Sequence, residues 1–374
     1  METDAAIITH AGLEDVCQKE LQQVLGIAST KGTGVVYFKA PLEKVCEFCY
    51  LSRSAIRVLV VLGRKATPDV MLGAESLAQS IDIKHWLHEK TTFACRSAIP
   101  DIGQEVAVTV GGIINDRTRS PVNLNNSDAL IVIYHIDGEV MVGIDLGGEE
   151  LGKRDYRIFL GNDSLRGTIA YGLLAVAGYD GTQNMADIFC RSGVISIEAA
   201  MLAHGMSPHR HERIFPFRKL PPLGGIDWDT RFDELDKHAQ KESKSIIIAM
   251  DEGFGPVAAA KKNAKIAGVN QHLEFSRTDL QFLDAKFGKG GLDMIATMPP
   301  QPSARINGKP LEKALEQLFY QAEFILKKKG KVAVLTRSNV ELLKTLADKF
   351  QFMLVEERSV WQGGLELTIV VFTK

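Results

Sequence analysis

The stretch from residue 185 to residue 200 constrains the fold of this chain more than any other. Ala186 to Phe189 is a short apolar run that indicates a buried strand. A turn of small residues follows from Cys190 to Gly193, interrupted by Arg191, and the apolar residues after it recur at helical spacing. In α/β sheets such strand–turn–helix junctions lie at the carboxyl ends of the strands, where ligands bind. We therefore predict a ligand-binding loop here, with free N–H groups at the helix N-terminus beside it.

The chain after residue 165 continues to alternate predicted strands and helices. Apolar runs that indicate strands recur at residues 245–250, 272–276, 292–297 and 331–336. This alternation predicts a mainly parallel sheet. Two final apolar runs, at 352–358 and 365–372, predict an antiparallel terminal hairpin at its edge. The segment from Gly205 to Gly225, rich in Pro, His and Arg, is predicted to be an insertion between a helix and a strand.

The N-terminal half has shorter elements and divides into two predicted units. Residues 1–65 follow the order strand–helix–strand–helix–strand, which indicates a ferredoxin-like domain. Residues 66–150 form a second α/β unit that ends in a hairpin around Asp137-Gly138. Residues 151–164 have few apolar repeats and are predicted to be a linker.

Composition excludes some classes of function. The formal net charge is -2, so RNA contacts would have to come from local basic patches. No apolar run approaches the ~18 residues of a membrane helix, and the acidic N-terminus lacks a signal pattern. We therefore expect a cytoplasmic protein with no membrane contact. The five cysteines lie mostly in apolar segments, which suits reduced thiols, and no metal site is predicted.

Three acids follow successive predicted strands: Asp187, Asp251 and Asp279. An acid after the second strand can accept hydrogen bonds from both ribose hydroxyls of a nucleoside. Asp279, one strand later, could accept a hydrogen bond from an adenine amine. The alternative is that these acids only cap turns, as Asp often does.

Several motifs occur in the order found in one known family. After residue 165 they are Leu165–Ala170, Asp187–Gly193 with Ile197–Ala199, Asp251 with Ala260–Ala264 and Ala267–Val269, Met298–Gln301, and Gln362–Leu365. Before it they are Ala11–Glu14, Val142–Leu146 and Glu150–Arg157. These motifs resemble the RNA guanine-N2 methyltransferases that carry a THUMP domain, and specifically those acting on a guanosine in the tRNA acceptor stem. The resemblance covers essentially the whole chain.

The resemblance implies a fold, a cofactor and a partner. Residues 66–150 would be the THUMP-like RNA-binding domain and residues 165–374 a Rossmann-like methyltransferase domain. The cofactor would be S-adenosylmethionine and the partner RNA, in particular transfer RNA. The implied cofactor-binding residues are Asp187, Cys190, Ser192, Gly193, Asp251, Asp279 and Leu280. The implied catalytic loop is Met298, Pro299, Pro300 and Gln301.

Three positions depart from the family pattern. Met298 stands where the family has an asparagine that accepts hydrogen bonds from the target amine, which a thioether cannot do. Gln301 replaces an aromatic residue that stacks on the flipped base. Arg191 replaces a glycine of the cofactor loop. Two functions therefore stay open: an active tRNA methyltransferase, and a catalytically silent RNA-binding paralogue or scaffold with a protein partner. A different small-molecule enzyme on the same fold is a third, weaker alternative.

Two groups of basic residues are candidates for RNA contacts. Arg96, Arg117 and Arg119 lie in the THUMP-like unit. Arg210, Arg213, Arg218 and Lys219 lie in the predicted insertion, interleaved with aromatic residues as in RNA-binding loops. A solvated surface loop is the equally weighted alternative for this second group.

Overall fold

The computed structural model describes residues 2–148, 150–160, 165–211, 213–239, 242–301 and 308–374, apart from the side chain of residue 239. The chain forms two compact units. Unit 1 comprises residues 1–151 and 212–235, and unit 2 comprises residues 152–211 and 236–374. These divisions differ from the predicted ones. Residues 1–65 and 66–150 join in one unit, and a segment from the second half of the chain belongs with them.

Unit 1 contains one seven-stranded sheet with the strand order β2-β3-β1-β4-β7-β6-β5. The strands are β1 (Glu2–Ile8), β2 (Ser29–Gly32), β3 (Val35–Pro41), β4 (Arg57–Ala66), β5 (Phe93–Ser97), β6 (Ala129–Ile136) and β7 (Glu139–Asp145). Antiparallel pairing of β4 with β7 joins the ferredoxin-like strands to the others. This backbone pairing is why the two predicted N-terminal domains form a single unit. Phe93 of β5 also forms an isolated parallel bridge with Val122.

The first part of the chain supplies helices to the other layer of unit 1: α1 (Glu14–Leu25), α2 (Leu42–Leu51), α3 (Val70–Ser80) and α4 (Gly103–Thr118). Their apolar side chains share one buried core with the sheet. The predicted hairpin between β6 and β7 is present, with Asp137 and Gly138 both at positive φ. The Gly111-Gly112 pair lies inside α4, because Val106, Val110 and Ile114 bury one face of that helix.

The segment 213–235 packs on unit 1 through aromatic side chains. Two short 3-10 turns, Pro216–Lys219 and Pro221–Leu223, lead into α5 (Trp228–Ala239). Phe232 stacks on Tyr50 of α2 with ring centroids 4.2 Å apart. Arg231 adds a hydrogen bond from its Nε to Glu47 at 2.8 Å. The sequence predicted an insertion here, but not the unit to which it belongs.

Unit 2 contains a second seven-stranded sheet, with the order β10-β9-β8-β11-β12-β14-β13. The strands are β8 (Met185–Asp187), β9 (Ile247–Asp251), β10 (Glu274–Arg277), β11 (Leu292–Thr297), β12 (Leu326–Thr336), β13 (Met353–Gln362) and β14 (Leu365–Thr373). Strands β8 to β12 run parallel, and β14 pairs antiparallel with both β12 and β13. The predicted parallel sheet with an antiparallel terminal hairpin is confirmed.

The helices of unit 2 are α6 (Gly167–Ala177), α7 (Val194–Ala203), α8 (Phe254–Ile266), α9 (Leu283–Phe287), α10 (Lys309–Ile325) and α11 (Val340–Lys349). Within the described ranges, no helix is long and apolar enough to cross a membrane. The chain moves outward from β8 through β9 to β10, then returns to the other side of β8 with β11. The strand order therefore reverses beside β8, and the carboxyl ends of such strands form the ligand-binding edge of a doubly wound sheet.

Candidate cofactor and acceptor loops

Two loops meet at the point where the strand order reverses. The cofactor loop, residues 188–193, follows β8 and leads into α7. The acceptor loop, Met298 to Gln301, follows β11. Parallel pairing places β8 between β9 and β11, so both loops and the end of β9 at Asp251 lie at the same sheet edge. The sequence prediction of a strand, turn and helix at residues 185–200 is thereby confirmed.

Asp187 ends β8 as a fully buried carboxyl group. Thr297 donates a hydrogen bond to its Oδ1 at 2.7 Å, and Ser196 donates one to its Oδ2 at 3.1 Å. Thr297 Oγ1 also accepts from the backbone N–H of Phe189 at 3.1 Å, which fixes the first residues of the cofactor loop. Burial raises the pKa of Asp187 to about 7, although both hydroxyl donors oppose the shift. Asp187 therefore holds two strand ends and a helix together.

Arg191 joins three loops at this edge. Its backbone N–H donates to Asp251 Oδ2 at 3.2 Å. Its guanidinium donates from Nε to the carbonyl of Met298 at 3.2 Å and from Nη2 to the carbonyl of Pro299 at 2.8 Å. The residue adopts φ +49°, a left-handed conformation that favours glycine. The side chain thus lies across the space between the cofactor loop and the acceptor loop.

The acceptor loop uses its polar groups internally. The Gln301 side chain donates from Nε2 to the carbonyl of Pro299 at 2.7 Å and accepts from the backbone N–H of Arg337 at 2.8 Å. Gln301 and Met298 are both buried, with exposed fractions of 8% and 4%. The Gln301 amide is therefore committed to holding the loop against the end of β12. Met298 offers no hydrogen-bonding group stronger than a thioether.

The space left between these loops is small. The cavity has a volume of about 20 Å³. It is lined by Leu165, Asp187, Phe189, Cys190, Arg191, Ser192, Val194, Ile195 and Met298. A cavity of this size holds about one water molecule, whereas ligand pockets measure about 300–1,000 Å³. The methionine half of S-adenosylmethionine does not fit among the described residues in this arrangement.

Other implied residues of the cofactor loop have structural partners. Gly193 has φ +84°, and a Cβ added there would lie 2.8 Å from Cβ of Ala260 on α8. The absence of a side chain at Gly193 therefore permits close packing of α7 and α8. Burial raises the pKa of the Cys190 thiol well above its usual range, and Asp187 and Asp251 add to the shift, so Cys190 is not a poised nucleophile.

Asn263 connects the cofactor loop to the segment 152–160, a role that sequence reasoning did not identify. Its side chain is fully buried on α8. Oδ1 accepts from the backbone N–H of Phe159 at 3.0 Å, while Nδ2 donates to the carbonyls of Phe159 at 3.0 Å and of Ser192 at 2.9 Å. Asn263 lies in the motif Ala260–Ala264, but the spacing of that motif does not indicate which backbone groups the side chain binds.

A buried ion pair holds the same segment from the other side. Arg154 donates from Nε to Glu198 Oε1 at 2.8 Å, and both side chains are fully buried. Tyr156 donates its hydroxyl to the same carboxylate oxygen at 2.8 Å. The first part of the predicted linker is therefore fixed within unit 2. Residues 161–164 lie outside the described residues.

The neighbouring strands β9 and β10 present a different, more open arrangement. Asp251 accepts the N–H of Gly253 at its Oδ1, at 3.0 Å, in addition to the bond from Arg191. Asp279 accepts both the backbone N–H and the side-chain amide of Gln281, at 3.1 and 3.0 Å. Phe254 and Phe282 follow the two acids by three residues and are 76% and 57% exposed. Two acids and two exposed rings therefore lie on adjacent loops, which fits an adenosine group.

Leu280 does not share this exposure. Its side chain is partly buried and packs against the hydrophobic core of unit 2. Its implied role in cofactor binding stays a prediction.

The predicted RNA-binding arginines and lysine mostly have partners in the protein. Arg117 donates to the carbonyls of Ala78 and Ile81, at 2.6 and 2.9 Å, and so caps the end of α3. Arg96 lies near the carbonyl of Leu124, at 3.4 Å. Arg119 ends α4 at φ +60°. The four residues of the second group pair with acids: Arg210 with Asp236, Arg213 with Asp233, Arg218 with Asp229, and Lys219 with Asp128.

These ion pairs are exposed to different degrees and are individually weak. They do not exclude contacts with phosphate, but they lower the local positive charge on which the sequence prediction rested. Three of the acidic partners, Asp229, Asp233 and Asp236, lie on α5, later in the chain than the arginines, and composition alone does not reveal these pairs. RNA binding by these seven residues stays a prediction. In the part of the chain that the structure describes, no group of His, Cys, Asp or Glu could hold a metal ion.

Comparisons with known proteins agree with both halves of the fold. A family model described as the RMKL-like methyltransferase domain matches residues 154–368, and one described as the RlmL ferredoxin-like domain matches residues 5–59. The tRNA (guanine(6)-N2)-methyltransferase of Methanocaldococcus jannaschii is 27% identical, over 99% of this chain and 100% of that protein. The ribosomal RNA large subunit methyltransferase K/L of Shewanella pealeana is 26% identical, over 97% of this chain but only 52% of that protein.

Solved structures support the fold. A possible methylase from Clostridium difficile has a TM-score of 0.84 with 21% identity, covering 100% of this chain and 98% of that one. A putative methyltransferase, SMU.472, complexed with SAH, has a TM-score of 0.82 with 21% identity, covering 99% and 98%. The family model spans more than half of the chain. This chain therefore belongs to the RMKL-like methyltransferase family, with a SAM-dependent methyltransferase fold and a ferredoxin-like N-terminal part.

Proposed function

We propose that this chain recognises transfer RNA as a member of its family but does not itself transfer a methyl group from S-adenosylmethionine. Recognition of transfer RNA is supported by the alignment with the M. jannaschii tRNA methyltransferase, which runs through the whole of both proteins. The absence of methyl transfer is supported by one observation above all: Arg191 lies across the cofactor and acceptor loops. A cytoplasmic location, a THUMP-like role for residues 66–150 and a protein partner are part of this proposal as further predictions.

Methyl transfer to a guanine amine depends on positioning. The cofactor supplies the methyl group as an electrophile, and the protein must hold the amine in line with it and orient the nitrogen lone pair. Met298 and Gln301 have no group available for this task, since one is a thioether and the other is bonded within its loop. Losing one preorganised polar contact costs about 10²–10³ in rate, and losing the stacking residue as well would leave little turnover.

A second candidate function is an active tRNA guanine-N2 methyltransferase. The comparisons by themselves favour this candidate, because relatives that align over at least 90% of both proteins bear that name. It requires the Arg191 side chain to leave its two carbonyl partners so that the cofactor can enter. It also requires an acceptor for the target amine other than the side chains of Met298 and Gln301.

The two candidates differ in a direct assay. The full chain is mixed with unmodified tRNA transcripts, and binding is measured by electrophoretic mobility shift at several salt concentrations. Methylation is followed with S-adenosylmethionine labelled on its methyl group, with the M. jannaschii enzyme as the positive control. We expect tRNA binding without incorporation of label. Incorporation at the level of the control would refute the silent function, and no RNA binding at low salt would refute both candidates.

A triple variant tests whether the three departures account for the loss. Met298→Asn, Gln301→Tyr and Arg191→Gly are introduced singly and together. If positioning and cofactor access are both lost, only the triple variant regains incorporation of label. Gain of activity from one substitution would show that the other two positions are compatible with catalysis.

A further inference from the structure

The geometry points to Arg191 as a built-in occupant of the methionine half of the cofactor site, leaving a site for an adenosine-class ligand without a methionine tail. This inference rests on the proposed function, because it concerns the same sheet edge. It goes further in naming what the edge still binds.

The closed half is defined by the contacts of one side chain. The guanidinium of Arg191 donates to the carbonyls of Met298 and Pro299, so it bridges β8 to β11 where a ligand tail would pass between them. The residue is half-buried, and its backbone N–H is also engaged, by Asp251. With about 20 Å³ remaining, a tail of seven or more heavy atoms has no space unless the arginine moves.

The open half lies one and two strands away. β9 and β10 are adjacent and parallel, with Asp251 paired to Arg277 in register, so the loops after them are neighbours. Each oxygen of the Asp251 carboxylate accepts one backbone N–H, which fixes the group and leaves further lone pairs for a ribose diol. Phe254 is 76% exposed beside it, although large aromatic side chains are usually buried.

These groups specify the chemistry of the ligand. An exposed phenyl ring favours stacking with a planar heterocycle. A fixed carboxylate favours a vicinal diol, which offers two hydroxyl donors. Asp279 on the next loop adds an acceptor for an exocyclic amine. A purine nucleoside with a 6-amino group has all three features, and a neutral nucleoside avoids placing phosphate beside two carboxylates.

Isothermal calorimetry with adenosine and S-adenosylhomocysteine tests the inference on the full chain. In the wild-type chain, we expect adenosine to bind and the homocysteine tail to add nothing, so that the two dissociation constants agree within about threefold. In Arg191→Gly, the tail should regain its contacts, and S-adenosylhomocysteine should bind at least tenfold more tightly than adenosine. Glycine readily adopts the φ +49° of this position, so the backbone is retained.

Control variants separate a local from a general effect. Asp251→Asn should weaken adenosine at least tenfold, since it removes the carboxylate that faces the ribose. Arg358→Ala removes another half-buried arginine of unit 2, on β13, and should leave both affinities unchanged. If Arg191→Gly fails to fold, Arg191→Asn provides the second variant, because asparagine also tolerates the left-handed region.

The outcomes distinguish this inference from the proposed function. Tighter binding of S-adenosylhomocysteine than of adenosine by the wild-type chain, tenfold or more, would overturn the inference even if no methylation occurs. Binding of neither compound would also overturn it while leaving the silent function intact. Methylation of tRNA by the wild-type chain would overturn both.

Discussion

Asp187→Asn should remove a pH dependence from the stability of unit 2. The wild-type carboxyl is fully buried, and its pKa is raised to about 7 by burial. In the unfolded chain the pKa of aspartate is ~3.9. Between these two values the folded state binds more protons than the unfolded state, so the stability contributed by this group falls as pH rises. It is fully present below ~pH 4 and lost above ~pH 7.

The magnitude follows from the difference between the two pKa values. Each pH unit between the two pKa values changes the free energy of unfolding by about 1.4 kcal/mol. The interval from pH 5 to pH 7 therefore accounts for a loss of at most about 3 kcal/mol in that free energy. Relaxation around the buried carboxylate reduces this, and we expect 1–3 kcal/mol, about a tenth to a third of a typical domain's stability. Asparagine keeps the shape of the side chain and can still bond Thr297 and Ser196. Its protonation does not change in this range, so the variant should gain on the wild type as pH rises.

The assay must report on unit 2 separately from unit 1. Urea unfolding of the full chain, followed by pulse-labelling hydrogen exchange, gives the midpoint for peptides from β11 and β12. The measurement is repeated at pH 5, 6, 7 and 8 for the wild type, Asp187→Asn and the surface control Asp284→Asn. The reasoning is refuted if the wild type and Asp187→Asn show parallel stability against pH, or if the variant loses stability relative to the wild type as pH rises.

Three further changes have definite expected outcomes. Glu198→Gln leaves Arg154 buried without its carboxylate partner, so the free energy of unfolding of unit 2 in urea should fall by about 3–5 kcal/mol. The double variant Arg154→Met with Glu198→Gln should recover part of this loss. Equal stability of the single variant and the wild type would contradict the prediction. Gly193→Ala combines a strained φ with a clash against Ala260, so its midpoint temperature should fall by several degrees, and an unchanged midpoint would show that α7 and α8 can separate. Asn263→Asp loses the amide donor to the cofactor loop and to the segment 152–160, so hydrogen exchange should rise about tenfold in both segments and not elsewhere; a rise in only one segment would refute the connection.

The sequence predicts the order of elements well because apolar periodicity depends on local burial. The strands of unit 2 and the hairpin at Asp137-Gly138 follow from that periodicity. The family motifs, in turn, place Asp251 and Arg191 at one sheet edge. What the sequence does not predict are partners remote in the chain. The direction of the Arg191 side chain is set by carbonyls of the acceptor loop, which lies more than 100 residues later in the chain.

The same limitation explains the basic residues. A run of arginine, lysine and aromatic residues near 210–219 has the composition of an RNA-binding loop. The structure shows the aromatic residues Phe215 and Phe217 inside the core of unit 1. Arg218 is bonded to Asp229 at 2.7 Å. Composition gives the types of side chain in a segment, whereas the core that the segment joins is decided by strands and helices far away.

The placement of residues 213–235 on unit 1 has a consequence for synthesis. A ribosome that has released residues 1–151 has released all seven strands of the first sheet, but not the aromatic residues that stack on Tyr50. Strand β8 and helix α7 of unit 2 emerge before Phe232 does, and they must wait for β9 and β11. Domains usually fold one after another as they leave the ribosome. In this protein the two units complete in an interleaved order, so a chain cut between residues 151 and 212 ends with both units unfinished.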